Sequence, residues 1–305
     1  MRILLLGANG QVGHELLRTL APLGEVLPAT REGRLVDGGA CLAADLADAD
    51  SLARAMEAAD ARLIVNAAAY TSVDRAEEEP QLADRVNRQA VAEIGAFARA
   101  SGAHVVHYST DYVFDGSGVR PYREDDPTAP LGAYGRSKLG GEDALRESGA
   151  RHWIFRTAWV YAARGHNFLL TMLRLGAERD VLRVVADQIG APTPAGWIAA
   201  ATATALARGE TVGSGTWHCT AAGQCSWHEF AGAIMDGAVR RGVLARAPEV
   251  RPITSAGYPT PARRPAWSVL DCGRLEAAFG IQSTGWREGL DDVLDAIAGM
   301  RRADP

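Results

Sequence analysis

A doubly wound α/β fold, a mostly parallel sheet covered by helices on both faces with a smaller C-terminal lobe, is predicted by three features of this sequence. Short apolar runs alternate with longer amphipathic ones over residues 1–162. The first of these runs leads at once into a glycine-rich turn and then a helical pattern. After Tyr161 the alternation loosens and helical patterns dominate, so residues 163–305 read mainly as the second lobe.

The elements follow in order. Ile3 to Leu6 reads as a buried strand, and Gln11 to Leu20 as a helix with Val12, Leu16, Leu17 and Leu20 on one face and Pro22 just beyond it. Glu25 to Ala29 is a second strand, Asp50 to Ala59 a helix, and Arg62 to Asn66 a strand with a polar end. A long helical stretch around Pro80 runs to Ala100, before a strand at His104 to Ser109. Tyr134 to Arg146 is helical and Trp153 to Thr157 is a strand. In the second half Asn167 to Gly176, Ala195 to Ala207, Trp227 to Arg241 and Arg287 to Met300 read as helices. Gly215 to Thr220 is expected to return to the sheet as an extra strand. Arg251 to Pro265, with its prolines and arginines, is expected to be an extended loop.

Composition narrows the function classes. The 305 residues are 47% apolar and 23% charged, which excludes a disordered chain, and a net charge of −5 argues against nucleic-acid binding through overall charge. Four cysteines in a chain this long do not make a disulfide framework. Cys219 and Cys225 lie near His218 and His228, but their spacing is a poor zinc signature, so no metal site is assigned there. The N-terminal apolar run is too short for a signal-peptide core, and no stretch approaches the roughly 18 apolar residues of a membrane span. A cytoplasmic protein without membrane contact is expected. Of the 32 basic residues only Lys138 is a lysine. It is either a chance survivor of an arginine bias or a site where a compact, tunable cation is required.

The turn reads Gly7-Ala8-Asn9-Gly10-Gln11-Val12-Gly13, a G-x-x-G-x-x-G pattern between strand and helix. Gly7 permits the tight turn, Gly10 lets a pyrophosphate approach the backbone, and Gly13 lets the helix pack close, as in a Rossmann-type dinucleotide site. The free amides at the helix start then face the phosphates. At the end of the second strand, where an acidic residue would hold a ribose 2′-OH, the chain has Thr30-Arg31. A hydroxyl and a guanidinium suit a 2′-phosphate, favouring NADPH while leaving NADH open. Arg31 alternatively is a solvated loop charge. Asp45 and Leu46 are placed to flank an adenine.

Tyr134-Gly135-Arg136-Ser137-Lys138 is Y-x-x-x-K, which puts phenol and ammonium on one helical face. A nearby cation favours the phenolate and would lower the tyrosine pKa, fitting Tyr134 for proton transfer. The preceding strand ends in Tyr108-Ser109-Thr110-Asp111-Tyr112, where sheets of this kind place ligands. Thr110 could donate to a carbonyl oxygen, with Ser109 as its rival; capping of the strand end is the structural alternative for both.

These segments together resemble the extended short-chain dehydrogenases/reductases. Within them, residues 66–74, 107–114, 156–161, 187–193 and 258–265 resemble the dTDP-4-dehydrorhamnose reductase family, and the likeness runs from residue 1 to about residue 290. The resemblance implies reduction of the C4 ketone of a dTDP-4-dehydro-sugar. Tyr134 would be the general acid, Lys138 would hold the nicotinamide ribose and lower the tyrosine pKa, and Thr110 would polarise the carbonyl. It implies sugar contacts from Thr110, Asp111 and Trp159, the last of which equally fits packing, and a cofactor lining from Gly10 to Val12, Asp45, Leu46, Ala69, Tyr70, Thr71 and Tyr108. Arg263 and Arg264 could pair with the substrate diphosphate. Family members often carry an acidic residue at the position of Thr30. Some relatives bind magnesium between the subunits of a dimer; Glu15 matches one ligand, the stretches near Val181 and Ala296 offer no clear equivalents of the others, and no metal is assigned. Two other readings stay open: a nucleotide-sugar epimerase or dehydratase that recycles its NAD, and a regulatory subunit that binds the cofactor without turnover.

Overall fold

The computed structural model describes residues 1–303. Six strands of the central sheet form in the first half: β1 (Arg2–Leu6), β2 (Glu25–Thr30), β3 (Leu42–Ala43), β4 (Leu63–Asn66), β5 (His104–Thr110) and β6 (His152–Thr157). A seventh, Gly215–His218, returns from the second half and pairs parallel with β6. The sheet runs in the order Gly215–His218, β6, β5, β4, β1, β2, β3, and every pairing in it is parallel. The order therefore reverses between β1 and β4, which leaves a crevice beyond their C-terminal ends.

Alternation along β1 explains why helices must cover both faces. Ile3 and Leu5 pack with Leu16 and Leu20 of α1 (Gln11–Leu20), whereas Leu4 and Leu6 pack with Leu52 and Met56 of α2 (Ala49–Ala59). The helix Ala195–Arg208 joins the α1 side through Ile198 and Ala199, while Ala90–Ser101 and Ala133–Glu147 join the α2 side through Ile94 and Leu145. A separate apolar cluster around Phe230, Ile234 and Leu294 is built from Phe168–Glu178, Trp227–Arg240 and Trp286–Ala303.

Three features differ from the expected elements. The long helical stretch near Pro80 is broken into Arg75–Glu78, Pro80–Asp84, a π-turn at Arg85–Gln89, and Ala90–Ser101. The π-turn directs Asn87 inward, where it bonds Tyr70 in both directions and donates to the Ser137 hydroxyl at 3.0 Å. The expected loop from Arg251 begins instead inside a strand, Glu249–Ile253, which pairs with Val181–Val185. Gly273–Phe279 adds a short helix.

Candidate functional site

A cleft of about 630 Å³ opens at the crevice between β1 and β4. That volume suits a cofactor or small ligand. Its floor is the glycine turn. Gly7 has φ +80°, and a Cβ there would lie 2.6 Å from the Ala68 nitrogen; a Cβ at Gly13 would lie 2.1 Å from the Gly7 carbonyl oxygen. Only glycine lets turn, helix and strand end approach this closely. Gly10 caps α1 in extended conformation without a side-chain hydrogen bond, so the first-turn amides are left for an anion. Gly7, Gly10, Gln11 and Val12 all line the cleft, while Gly13 is buried behind them.

At the adenosine end, Thr30, Arg31, Asp45 and Leu46 line the cleft as expected from the sequence. Thr30 is buried, and its hydroxyl donates to the Arg34 carbonyl at 3.0 Å and accepts from the Arg34 amide at 3.1 Å. It therefore holds the turn after β2. The Arg31 guanidinium is 79% exposed, with Asp45 at 3.9 Å, and is the group open to an anion.

At the other end Ala69, Thr71, Tyr108, Tyr134 and Lys138 line the same cleft. The helix carrying Tyr134 and Lys138 begins at Ala133, whose amide donates to Glu77 Oε1 at 2.7 Å. A carboxylate at a helix N-terminus is favoured by the helix dipole, and this one fixes the helix to the segment after β4. Lys138 is fully buried; its Nζ donates to the Tyr108 carbonyl at 2.6 Å and lies 3.3 Å from His107 Nε2. Burial pulls its pKa down to about 8 against the opposing pull of Glu142. The phenol of Tyr134 packs edge-on to Tyr112 at 5.6 Å, and burial pushes its pKa up to about 12, opposed by the Thr110 hydroxyl. The sequence predicts a lowering by the lysine; instead desolvation raises the value, only the Thr110 hydroxyl opposes it, and the tyrosine is a neutral acid at physiological pH.

The expected sugar contacts are more scattered. Thr110 is buried, donates to Asp111 Oδ1 at 3.0 Å and accepts from the Tyr112 amide at 3.1 Å. Its rival Ser109 lines the cleft, but the Ser109 hydroxyl is buried without a hydrogen-bond partner among the described residues, whereas the Thr110 hydroxyl acts on the Tyr134 phenol. Burial pushes the Asp111 carboxyl up to about 6. Trp159 has a left-handed backbone, φ +46°, and stacks on Trp227 with centroids 3.4 Å apart. A Cβ at Gly190 would sit 2.4 Å from its ring, so this non-glycine left-handed residue is held by packing on two sides. Arg264 donates to Asp74 at 2.6 Å and Arg263 is exposed; neither lines the cleft. Tyr70 also lies outside it and donates to Glu79 at 2.6 Å.

Sequence reasoning missed Gly165 and His166, which reach the cleft from the second half, and Val86 and Thr157. It also missed Asn87, Glu77 and His107, which hold the walls. Nothing local marks these residues, because their partners lie far away in the chain.

The comparisons with known proteins agree with this geometry. The family model described as "RmlD substrate binding domain" matches residues 1–298. A dTDP-4-dehydrorhamnose reductase of Burkholderia thailandensis is 50% identical over 297 residues, covering 94% of this chain and 96% of the relative. One of Escherichia coli K12 is 41% identical over 299 residues, covering 97% and 98%. The crystal structure of a dTDP-4-dehydrorhamnose reductase from Bacillus anthracis, in complex with NADP, superposes with a TM-score of 0.85 at 32% identity, covering 97% of this chain and 99% of that one. With likeness of this extent in sequence and in fold, the chain belongs to the dTDP-4-dehydrorhamnose reductase family.

Proposed function

We propose that the protein catalyses the NADPH-dependent reduction of the C4 ketone of dTDP-4-dehydro-β-L-rhamnose to dTDP-β-L-rhamnose. The observation that carries this reading is the convergence of the glycine turn, Tyr134 and Lys138 on one cleft, in a chain of this family. The glycine turn, with its close approaches and uncapped helix start, fits a dinucleotide diphosphate. Arg31 would meet the 2′-phosphate, Asp45 and Leu46 the adenine, and Ala69, Thr71 and Tyr108 the nicotinamide half. Bound there, NADPH supplies the hydride for C4.

The protein's own part is the proton. Hydride addition to a ketone leaves an alkoxide, which is far more basic than a phenolate. A neutral Tyr134 therefore donates its proton downhill to the C4 oxygen. The cationic form of Lys138 offsets the negative charge left on the phenol. Thr110, whose hydroxyl acts on the Tyr134 phenol, polarises the carbonyl by donating to its oxygen once released from Asp111. Residues 1–162 hold the cofactor in this reading, and residues 163–305 mainly the sugar, with Trp159 at the boundary. The four cysteines, all free, suit the reducing cytoplasm. We take the working unit to be a homodimer, which light scattering would test.

The deciding experiment mixes purified protein, NADPH and dTDP-4-dehydro-L-rhamnose and follows the nicotinamide absorbance. One NADPH should be consumed per sugar reduced. Turnover of a nucleotide sugar with no net loss of cofactor would instead establish an epimerase or dehydratase. Cofactor binding without any turnover would establish a regulatory subunit.

A further inference from the structure

The second neighbour of Lys138, His107, ends a hydrogen-bonded chain whose directions are all fixed. The chain starts at the Ala68 backbone amide on the cleft wall, which can only donate and lies 3.2 Å from Asn66 Oδ1. That contact orients the Asn66 side chain, turning Nδ2 toward His107 Nδ1 at 3.2 Å. An amide nitrogen only donates, so Nδ1 must accept and carries no hydrogen. His107 is fully buried, and burial together with the nearby Lys138 keeps its ring neutral. A neutral imidazole has one ring proton, which is then on Nε2. Nε2 is the atom 3.3 Å from Lys138 Nζ.

An N–H pointed at a lysine nitrogen discriminates between its two forms. The amine has a lone pair to accept it and two hydrogens, one of which serves the Tyr108 carbonyl at 2.6 Å. The ammonium has donors only, so donor would face donor. We propose that His107 is a positioning residue that lowers the proton affinity of Lys138, because the Ala68 amide, acting through Asn66, holds its ring as the Nε2–H tautomer. The opposite tautomer would need the Asn66 amide turned over, leaving the Ala68 N–H against another donor.

The other charged groups around the pair do not reproduce this effect. Glu142, on the lysine's own helix, favours the cation but is itself bonded to Arg156. On β6, His152 acts on His107 and disfavours a charged ring. The consequence is a lysine that gives up its proton more readily than an ordinary one, which tunes the charge it offers the Tyr134 phenol. That consequence rests on the function proposed above. The proton affinity itself is measured on unliganded protein, so the two can fail separately.

The single lysine makes the measurement direct. Protein labelled with ¹³C,¹⁵N-lysine has one side-chain amino signal, whose titration is Lys138 alone. In His107→Gln the amide can turn its oxygen toward the lysine, so the Lys138 pKa should rise by about one pH unit, the worth of one hydrogen bond. An unchanged or lower value would overturn the proposal, because it would mean the imidazole already accepts from an ammonium. The alkaline limb of kcat should move upward in the same variant. Should His107→Gln fail to fold, long-range ¹H–¹⁵N spectra of histidine-labelled wild-type protein give the tautomer directly. An Nε2–H ring at His107 is expected, and an Nδ1–H ring there overturns the assignment.

Discussion

Lys138 and Glu142 sit one helical turn apart on the same helix, both buried, and their surroundings treat the two charges in opposite ways. Glu142 is 0% exposed and fully partnered: Arg156 donates to it through Nε at 2.9 Å and Nη2 at 2.7 Å, and Arg146 adds a further bond. Its carboxyl is held below the usual range despite burial, chiefly by the Arg156 bonds. Lys138 has a carbonyl oxygen and a neutral ring within hydrogen-bond reach, and burial wins. One buried charge is locked and ties β6 to the helix. The other is left easy to discharge, beside the phenol in the cleft. The difference separates a charge used for architecture from one available for chemistry.

The largest expected effect breaks the chemical half of that comparison. Tyr134→Phe removes the proposed proton donor while keeping the ring, and kcat should fall by about 10²–10⁴-fold, the usual worth of a general acid. Lys138→Met should cost a similar factor. Neither should lower the denaturation midpoint appreciably, since Lys138→Met removes a desolvated cation. Stopped-flow turnover with NADPH, alongside urea denaturation, checks both. Full activity in Tyr134→Phe would remove this residue from the mechanism.

The architectural half should break the other way. Glu142→Gln leaves Arg156 buried without its countercharge, which should cost about 3–5 kcal/mol of stability. Activity per folded molecule should change far less than in the tyrosine variant. A variant as stable as wild type would mean that solvent or Glu124, whose carbonyl lies 3.4 Å from Arg156, takes over the pairing.

How much of this contrast was legible in the sequence depends on the range of the contacts. The glycine turn, α1 and the Tyr134–Lys138 pair are set by residues within one or two helical turns, so spacing alone reveals them. The Glu142–Arg156 lock joins residues 14 apart through the sheet, and Asn66 meets His107 across 41 residues. No local pattern marks such pairs. The ribbon Val181–Val185 with Glu249–Ile253 was hidden for a similar reason. Each strand is only 5 residues long, one contains Pro252, and its register is supplied by a distant partner. Lys138 stood out by count, but its neutralising neighbours did not.

The two buried charges also predict opposite pH slopes of stability. The folded pKa of Lys138, about 8, lies below the ordinary lysine value of 10.5. The folded state therefore binds fewer protons than the unfolded chain between those values, and this group's contribution rises with pH across that window. Below pH 8 the full cost of the buried cation applies, about 3 kcal/mol. For Glu142 the folded pKa is depressed, so its stabilisation is present at neutral pH and is lost as acid protonates the folded carboxyl. Denaturation of wild type and Lys138→Met across pH 7 to pH 10 should converge as pH rises. Parallel curves would show that the lysine does not titrate in the fold.

An exposed charge supplies the third regime and the smallest effect. The Arg31 guanidinium is 79% exposed at the cleft edge and only 3.9 Å from Asp45, so solvent screens it. Its effect should appear only when a ligand brings a countercharge. Arg31→Ala should leave stability and kcat unchanged and raise KM for NADPH by about tenfold, a charge-assisted contact partly screened by water. KM for NADH, which lacks the 2′-phosphate, should hardly move. The ratio between the two cofactors is therefore the sensitive readout, and it isolates the guanidinium from any general loosening of the turn after β2. Equal increases for both cofactors would mean that Arg31 acts through Asp45 and the adenine end. Thr30→Ala offers the control: its hydroxyl is engaged with Arg34, so its loss should lower stability modestly and shift both KM values together.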